Sequence, residues 1–132
     1  MPTRYSLQQI AAIKELGNVL LRSGKWFDAK AVWEGVASMT PQDELPYRML
    51  SYLAGKERRF ADMATLAHAA LQRKKTPAAL LLAGEAHLYL GQVTQGLVSL
   101  QVLAQLSPKS GKEKLLQARA RLLLARFARR NP

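Results

Sequence analysis

Ile13-Lys14-Glu15-Leu16-Gly17, followed by Gly24, Ala29, Trp33, Val36 and Pro41, returns later in the chain. The second occurrence is Leu80-Leu81-Leu82-Ala83-Gly84, followed by Gly91, Gly96, Leu100, Leu103 and Pro108. Every matched pair is 67 residues apart. A constant offset over so many positions marks an internal repeat, and 67 is one short of two units of about 34 residues. A third, degenerate unit therefore lies between them, from about 44 to 76. In it Phe60-Ala61-Asp62-Met63 echoes Phe27-Asp28-Ala29. Ala67 and Ala70 take the places of Trp33 and Val36, and Ser51 stands where the outer units have glycine.

The residue types say what each unit is. A glycine inside a helix costs about 1 kcal/mol relative to alanine, so Gly17 and Gly84 predict that paired helices approach closely there. Gly24 and Gly91 each follow a helix and supply a left-handed cap. Pro41 and Pro108 stop the helices before them. The units read as helical hairpins, and the whole chain predicts seven helices, near 6–23, 26–38, 43–55, 60–73, 77–90, 93–106 and 111–129. The last opens on Ser110-Gly111-Lys112-Glu113, an S-x-x-E capping box. Its Leu115, Leu116, Leu122, Leu123 and Phe127 recur at helical spacing. A single hairpin cannot bury its apolar stripe, so the hairpins must stack and the array needs a cap. The expected architecture is one all-α domain over residues 1–132. Its repeats fall at about 10–43, 44–76 and 77–109, with a capping helix at about 110–130.

Composition agrees with a globular chain: 48% of the 132 residues are hydrophobic and 22% charged. With no cysteine there are no disulfides or thiolate metal sites. Met1-Pro2-Thr3-Arg4-Tyr5-Ser6 carries no apolar signal core. The longest apolar run, residues 78–83, is far short of the roughly 20 needed for a membrane span. A cytoplasmic protein is expected. The formal net charge of +11 suits an acidic protein, a nucleic acid or an anionic surface. It gathers near the end, where Lys109, Lys112, Lys114, Arg119, Arg121, Arg126, Arg129 and Arg130 face the single acid Glu113.

Catalytic constellations are missing from the sequence. His68 and His87 have no second ligand at metal spacing. No phosphate loop, nucleophile elbow or dinucleotide fingerprint occurs. Glu85 is a lone acid in an apolar helix, without the partner a general acid needs. Neither an enzyme nor a cofactor or metal site is expected. Trp33, with Trp26-Phe27 at the start of its helix, reads as core packing more readily than as a base-stacking platform.

Gly17, Gly24, Ala29, Trp33 and Pro41, with Gly84, Gly91, Gly96, Leu100 and Pro108, make Ile10 to Pro108 resemble the tetratricopeptide repeat family. That resemblance implies a right-handed superhelix of about three helix-turn-helix repeats. The first helix of each hairpin would line a concave groove that holds a partner polypeptide. The inward positions it implies are Ala11, Lys14, Asn18 and Leu21, then Leu45, Arg48, Tyr52 and Gly55, then Ala78, Leu81, Glu85 and Leu88. Lys14 and Asn18 occupy positions that grip a terminal carboxylate in the chaperone-cochaperone clamp subfamily. Met49, Ala78 and Leu82 fill the remaining clamp positions with the wrong chemistry, so no such clamp is expected. Leu20 to Ala29 and Ala83 to Gln92 further resemble the first and third hairpins of bacterial type III secretion chaperones, although many of those are acidic. This implies an apolar extended segment or an amphipathic helix as the guest, belonging to a secretion subunit and possessing acidic character if it meets the chain's charge. Self-association or a heterocomplex stays open. The alternative is a basic helical-repeat protein that binds nucleic acid through Lys112, Lys114, Arg119, Arg121, Arg126, Arg129 and Arg130.

Overall fold

Ser6 opens the first helix with a reciprocal capping box. Its hydroxyl accepts from the Gln9 backbone N–H at 3.1 Å while the Gln9 side chain accepts from the Ser6 N–H at 2.8 Å. Two of the four orphan donors at that helix end are thereby satisfied. In the computed structural model, residues 5–130 are described, with side chains as far as residue 127. Their helices are α1 (Leu7–Arg22), α2 (Trp26–Met39), α3 (Glu44–Lys56), α4 (Phe60–Arg73), α5 (Pro77–Tyr89), α6 (Val93–Gln105) and α7 (Gly111–Arg130). Each boundary lies within one residue of its sequence-based expectation. Among the described residues there is no strand, and no helix is long and apolar enough to cross a membrane.

Three hairpins, α1–α2, α3–α4 and α5–α6, stack in chain order, and α7 packs on both helices of the third. Gly24 and Gly91 adopt φ of +74° and +78° in the hairpin turns, as their positions demand. At the same turn of the middle hairpin stands Arg58, with φ +59°.

The mid-helix glycines do what the repeat requires of them. A Cβ on Gly17 would lie 2.7 Å from the Trp33 ring, and one on Gly84 would lie 2.7 Å from Leu100. In the middle hairpin Ser51 is fully buried, and its hydroxyl donates to the Met63 carbonyl at 2.7 Å. Trp33, Val36, Ala67, Ala70, Leu100 and Leu103 are all fully buried.

Two expectations are corrected. The middle unit aligns Phe60 with Trp26, not Phe27, because α2 and α4 open on those residues. Phe27 is 87% exposed and Trp26 is partly exposed, so neither is core. At 100° per residue, Phe27 points nearly opposite the buried stripe of Ala29, Trp33 and Val36.

α7 closes the C-terminal end of the array. Ala120 is fully buried, and Leu116, Leu123 and Leu124 pack against the cluster of Leu80, Leu81, Leu100 and Leu103. The buried Gln117 amide donates to the Leu103 carbonyl at 3.1 Å and also to the Leu106 carbonyl, satisfying groups that the end of α6 leaves open. The Ser110 hydroxyl accepts from the Glu113 N–H at 3.1 Å. The Glu113 carboxylate reaches back to the Lys109 N–H rather than to Ser110, at 3.4 Å.

Candidate functional site

α3, α5 and α7 are the helices that shape the main groove. α3 and α5 touch, α5 and α7 touch, and the gap between them remains open to solvent. Its floor is apolar: Met49 and Tyr52 from α3, Ala78, Leu81 and Leu82 from α5, and Leu116 from α7. Leu21 closes one end, and Phe60, stacked on Tyr89 with ring centroids 4.3 Å apart, walls another side. The space is about 580 Å³, within the range of natural ligand pockets.

Of the inward positions implied by the repeat pattern, Leu21, Arg48, Tyr52, Gly55, Ala78, Leu81 and Glu85 line this groove. Ala11, Lys14, Asn18, Leu45 and Leu88 do not. The cause for α1 is geometric: it packs on α2 and makes no close approach to α3. Ala11 is exposed and Asn18 half-buried. Lys14 instead donates to Asp43 Oδ2 at 2.7 Å, bridging α1 to the residue that caps α3. Burial raises the Asp43 pKa, but the Lys14 hydrogen bond, the Leu45 N–H and the charges of Lys14 and Arg48 outweigh it and hold the carboxyl below its usual value. Leu45 packs into the cluster around Trp33 and Leu50.

Leu88 leaves the groove because its side chain fills the space over Gly96, where an added Cβ would meet it at 2.8 Å. The middle hairpin reverses this pairing. There Gly55 is small and Met63 large, with the Met63 sulfur 2.9 Å from a Cβ placed on Gly55. The exchange keeps the groove open beside Gly55.

Charge is arranged around the apolar floor. Arg119 of α7 grips Glu85 of α5 through two hydrogen bonds of 2.8 and 3.0 Å. The hydrogen bonds first, then the charge of Glu85, raise the Arg119 pKa against a small opposing effect of burial. This pair separates the main groove from a smaller cleft of about 210 Å³ lined by Leu88, Leu123 and Arg126. Arg48 is similarly held by Glu44 at 3.0 and 3.2 Å. Lys112, Lys114, Arg119, Arg121 and Arg126 are exposed. Arg121 donates to the Ala104 carbonyl at 3.1 Å. The side chains of Arg129 and Arg130 lie outside the described residues.

Sequence spacing missed one juxtaposition. His68 of α4 and His87 of α5 meet with their Nε2 atoms 2.8 Å apart. His87 Nδ1 is 2.6 Å from the Gln92 amide oxygen, which can only accept, so His87 carries its proton on Nδ1 and accepts at Nε2 from His68. Burial first, then the neighbouring His87, lowers the His68 pKa. Nineteen positions separate the two histidines, and neither metal spacing nor helical periodicity connects them. No group of three or more metal-ligating side chains occurs among the described residues.

The fold is a tetratricopeptide-like array with an open apolar groove. No protein-family model matches the chain, and no curated protein is significantly similar to it in sequence. Solved structures match it closely in shape. Yersinia enterocolitica SycD, a type III secretion chaperone in complex with a peptide of the translocator YopD, superposes with a TM-score of 0.90 at 17% identity, covering 98% of this chain and 100% of that one. PcrH, a protein of Pseudomonas aeruginosa, in complex with the chaperone binding region of PopD, gives 0.86 at 20% identity with 100% of both chains covered. The first repeat domain of Spaghetti (RPAP3), bound to the HSP90 peptide SRMEEVD, gives 0.74 at 16% identity over 94% of this chain and 99% of that one.

Proposed function

We propose that this protein is a bacterial cytoplasmic chaperone that holds an extended apolar segment of a secreted partner, a type III translocator subunit, in the groove between α3, α5 and α7. The carrying observation is that groove: open, apolar and built from the faces that the repeat pattern turns inward. The match in shape to SycD, solved with a peptide of the translocator YopD, and to PcrH, solved with the chaperone binding region of PopD, supports the choice of guest. A volume of about 580 Å³ suits a few anchoring side chains of an extended chain better than a whole helix, which is about 10–12 Å across. Binding in place of catalysis is the role that this site supports, with Met49, Tyr52, Ala78, Leu81 and Leu82 as the apolar contacts.

Co-expression with the translocator subunits of the host's own secretion system tests the reading. A stoichiometric complex should form and keep the translocator soluble. Met49→Ala/Tyr52→Ala, which removes groove wall from a half-buried and an exposed position, should leave helicity intact and weaken the complex by about tenfold or more, as expected for loss of interface anchors. A translocator that stays insoluble beside abundant folded protein, or a complex indifferent to this double substitution, overturns it.

A further inference from the structure

The groove's rim carries an excess of positive charge. Five cations line it, Arg48, Lys56, Arg58, Lys112 and Arg119, against a single carboxylate, Glu85. Glu85 is already neutralised by Arg119, and Arg48 is committed to Glu44. Lys56, Arg58 and Lys112 have no carboxylate partner among the described residues. Two of these are held against the groove wall. Lys56 Nζ sits 5.1 Å from the Tyr52 ring centroid, and the Arg58 guanidinium 5.4 Å from that of Phe60.

Arg58 adds an independent observation. Its φ of +59° is the left-handed conformation that Gly24 and Gly91 adopt at the equivalent turns. Glycine is the unstrained solution there, and this fold uses it twice. A side chain in this conformation costs stability and persists where something else is gained. Here the result is a cation at the mouth of the groove.

We propose that the groove selects an extended apolar segment bearing carboxylates on both sides of its anchors, one near Lys112 and the other near Lys56 and Arg58. This refines the guest of the preceding reading and rests on it. One segment can span both ends. Glu85 pairs with Arg119, and Tyr89 and Arg126 line the same small cleft, so α5 and α7 run side by side in the same direction. Lys112 therefore lies level with Ala78. Arg58 lies at the far end, over the Phe60 ring that stacks on Tyr89. From Ala78 to Tyr89 the helix rises about 16 Å, a span that an extended chain covers in about five residues. Apolar contacts supply the affinity, while the cations set which apolar segments are accepted and how fast they arrive. Nucleic acid fits less well. Trp33 is fully buried, Phe60 and Tyr89 stack on each other, and the cations flank a greasy floor instead of following a backbone track.

A random twelve-residue peptide library panned against the full chain, at about 0.15 M salt where surface charges are screened beyond roughly 8 Å, tests the proposal. Recovered binders should carry apolar anchors flanked by Asp or Glu and should be lost on Met49→Ala/Tyr52→Ala. The rim variant Lys56→Ala/Arg58→Gly/Lys112→Ala keeps the turn unstrained, and it should bind these peptides about five- to tenfold more weakly, as a few exposed ion pairs allow. Lys74→Ala/Lys75→Ala/Lys109→Ala removes equal charge away from the groove and should bind as the parent does. Binders that need Met49 and Tyr52 but lack flanking acids, or equal behaviour of the two charge variants, overturn the charge selection and leave the groove reading standing. A library yielding no binder that depends on Met49 and Tyr52 overturns the groove reading itself. Displacement of the peptides by single-stranded RNA assigns the rim to phosphate and overturns the proposal.

Discussion

At the scale of single residues, the three hairpins solve one packing problem with different pairs of side chains. Where the helices cross, Gly17 meets Trp33 and Gly84 meets Leu100. Near the turns, Gly55 meets Met63 and Leu88 meets Gly96. Each pair sets a small residue against a larger one, as close packing demands. Gly84→Ala should therefore destabilise the fold although alanine is the better helix former. About 1 kcal/mol of propensity is gained, while forcing a Cβ to 2.7 Å from Leu100 costs about 1–3 kcal/mol of overpacking. Urea melts should show a lowered midpoint, and Gly84→Ala/Leu100→Ala should lose less than the sum of the single changes. A raised midpoint for Gly84→Ala would refute the close approach. Arg58→Gly should act in the opposite sense, stabilising the turn by about 1 kcal/mol as the left-handed strain is relieved, while weakening acidic-peptide binding. These contrasts explain which residues the sequence disclosed. A mid-helix glycine has few other reasons to exist, so Gly17 and Gly84 were legible. Leu88 was not, because leucine suits a groove floor and a filled hollow equally, and only the glycine across from it decides. Phe27 was misread because an aromatic at a helix start looks like core until its angle to Ala29, Trp33 and Val36 is counted.

At the scale of elements, helix ends were legible because their chemistry is local. Glycine, proline and capping residues mark most of them, the turn at Arg58 being the exception, and the helices of the described residues begin and end within one residue of where the sequence places them. Contacts between elements were less so. Gln117 is no part of the apolar stripe that marks α7 in the sequence, and it is buried and caps α6. Gln117→Leu keeps the volume but leaves carbonyls of the α6 end unpaired, and it should cost about 1–3 kcal/mol. A thermal shift unaffected by the substitution would show that those carbonyls find water instead. The histidine pair ties α4 to α5 and makes stability depend on pH. His68 has a folded-state pKa below its ordinary 6.5, so in the window beneath that value the unfolded chain binds more protons. Stability is thus full above 6.5 and declines as pH falls through it. Chemical denaturation at stepped pH should show this decline, and His68→Asn should flatten it. An unchanged slope in the variant would place the titrating group elsewhere.

For the whole molecule, the array is asymmetric. Its C-terminal end is covered, with α7 against both α5 and α6, whereas α1 packs on α2, makes no close approach to α3 and is tied to the α3 cap by the partly exposed Lys14–Asp43 pair. The repeat period announced the stack of hairpins but not this asymmetry, because the period treats all units alike. The spread of charge was equally hidden: Arg119 and Arg121 look like parts of one basic face, yet they are bound to Glu85 and Ala104. Stacked repeats are stabilised by nearest-neighbour interfaces, and an end unit with one weak interface opens first. Amide exchange should therefore be fastest in α1, slower in α3 and α4, and slowest in α5 and α6. The groove gives this gradient a consequence. Leu21 of α1 lines one end of it, so a seated peptide should slow exchange in α1 as well as in α3 and α5. Ordering α1 draws on the binding free energy, so Lys14→Ala, which frees α1 further, should weaken peptide binding without touching the groove floor. Uniform protection along the chain, or peptide affinity insensitive to Lys14→Ala, would show that the first hairpin is as firmly held as the third.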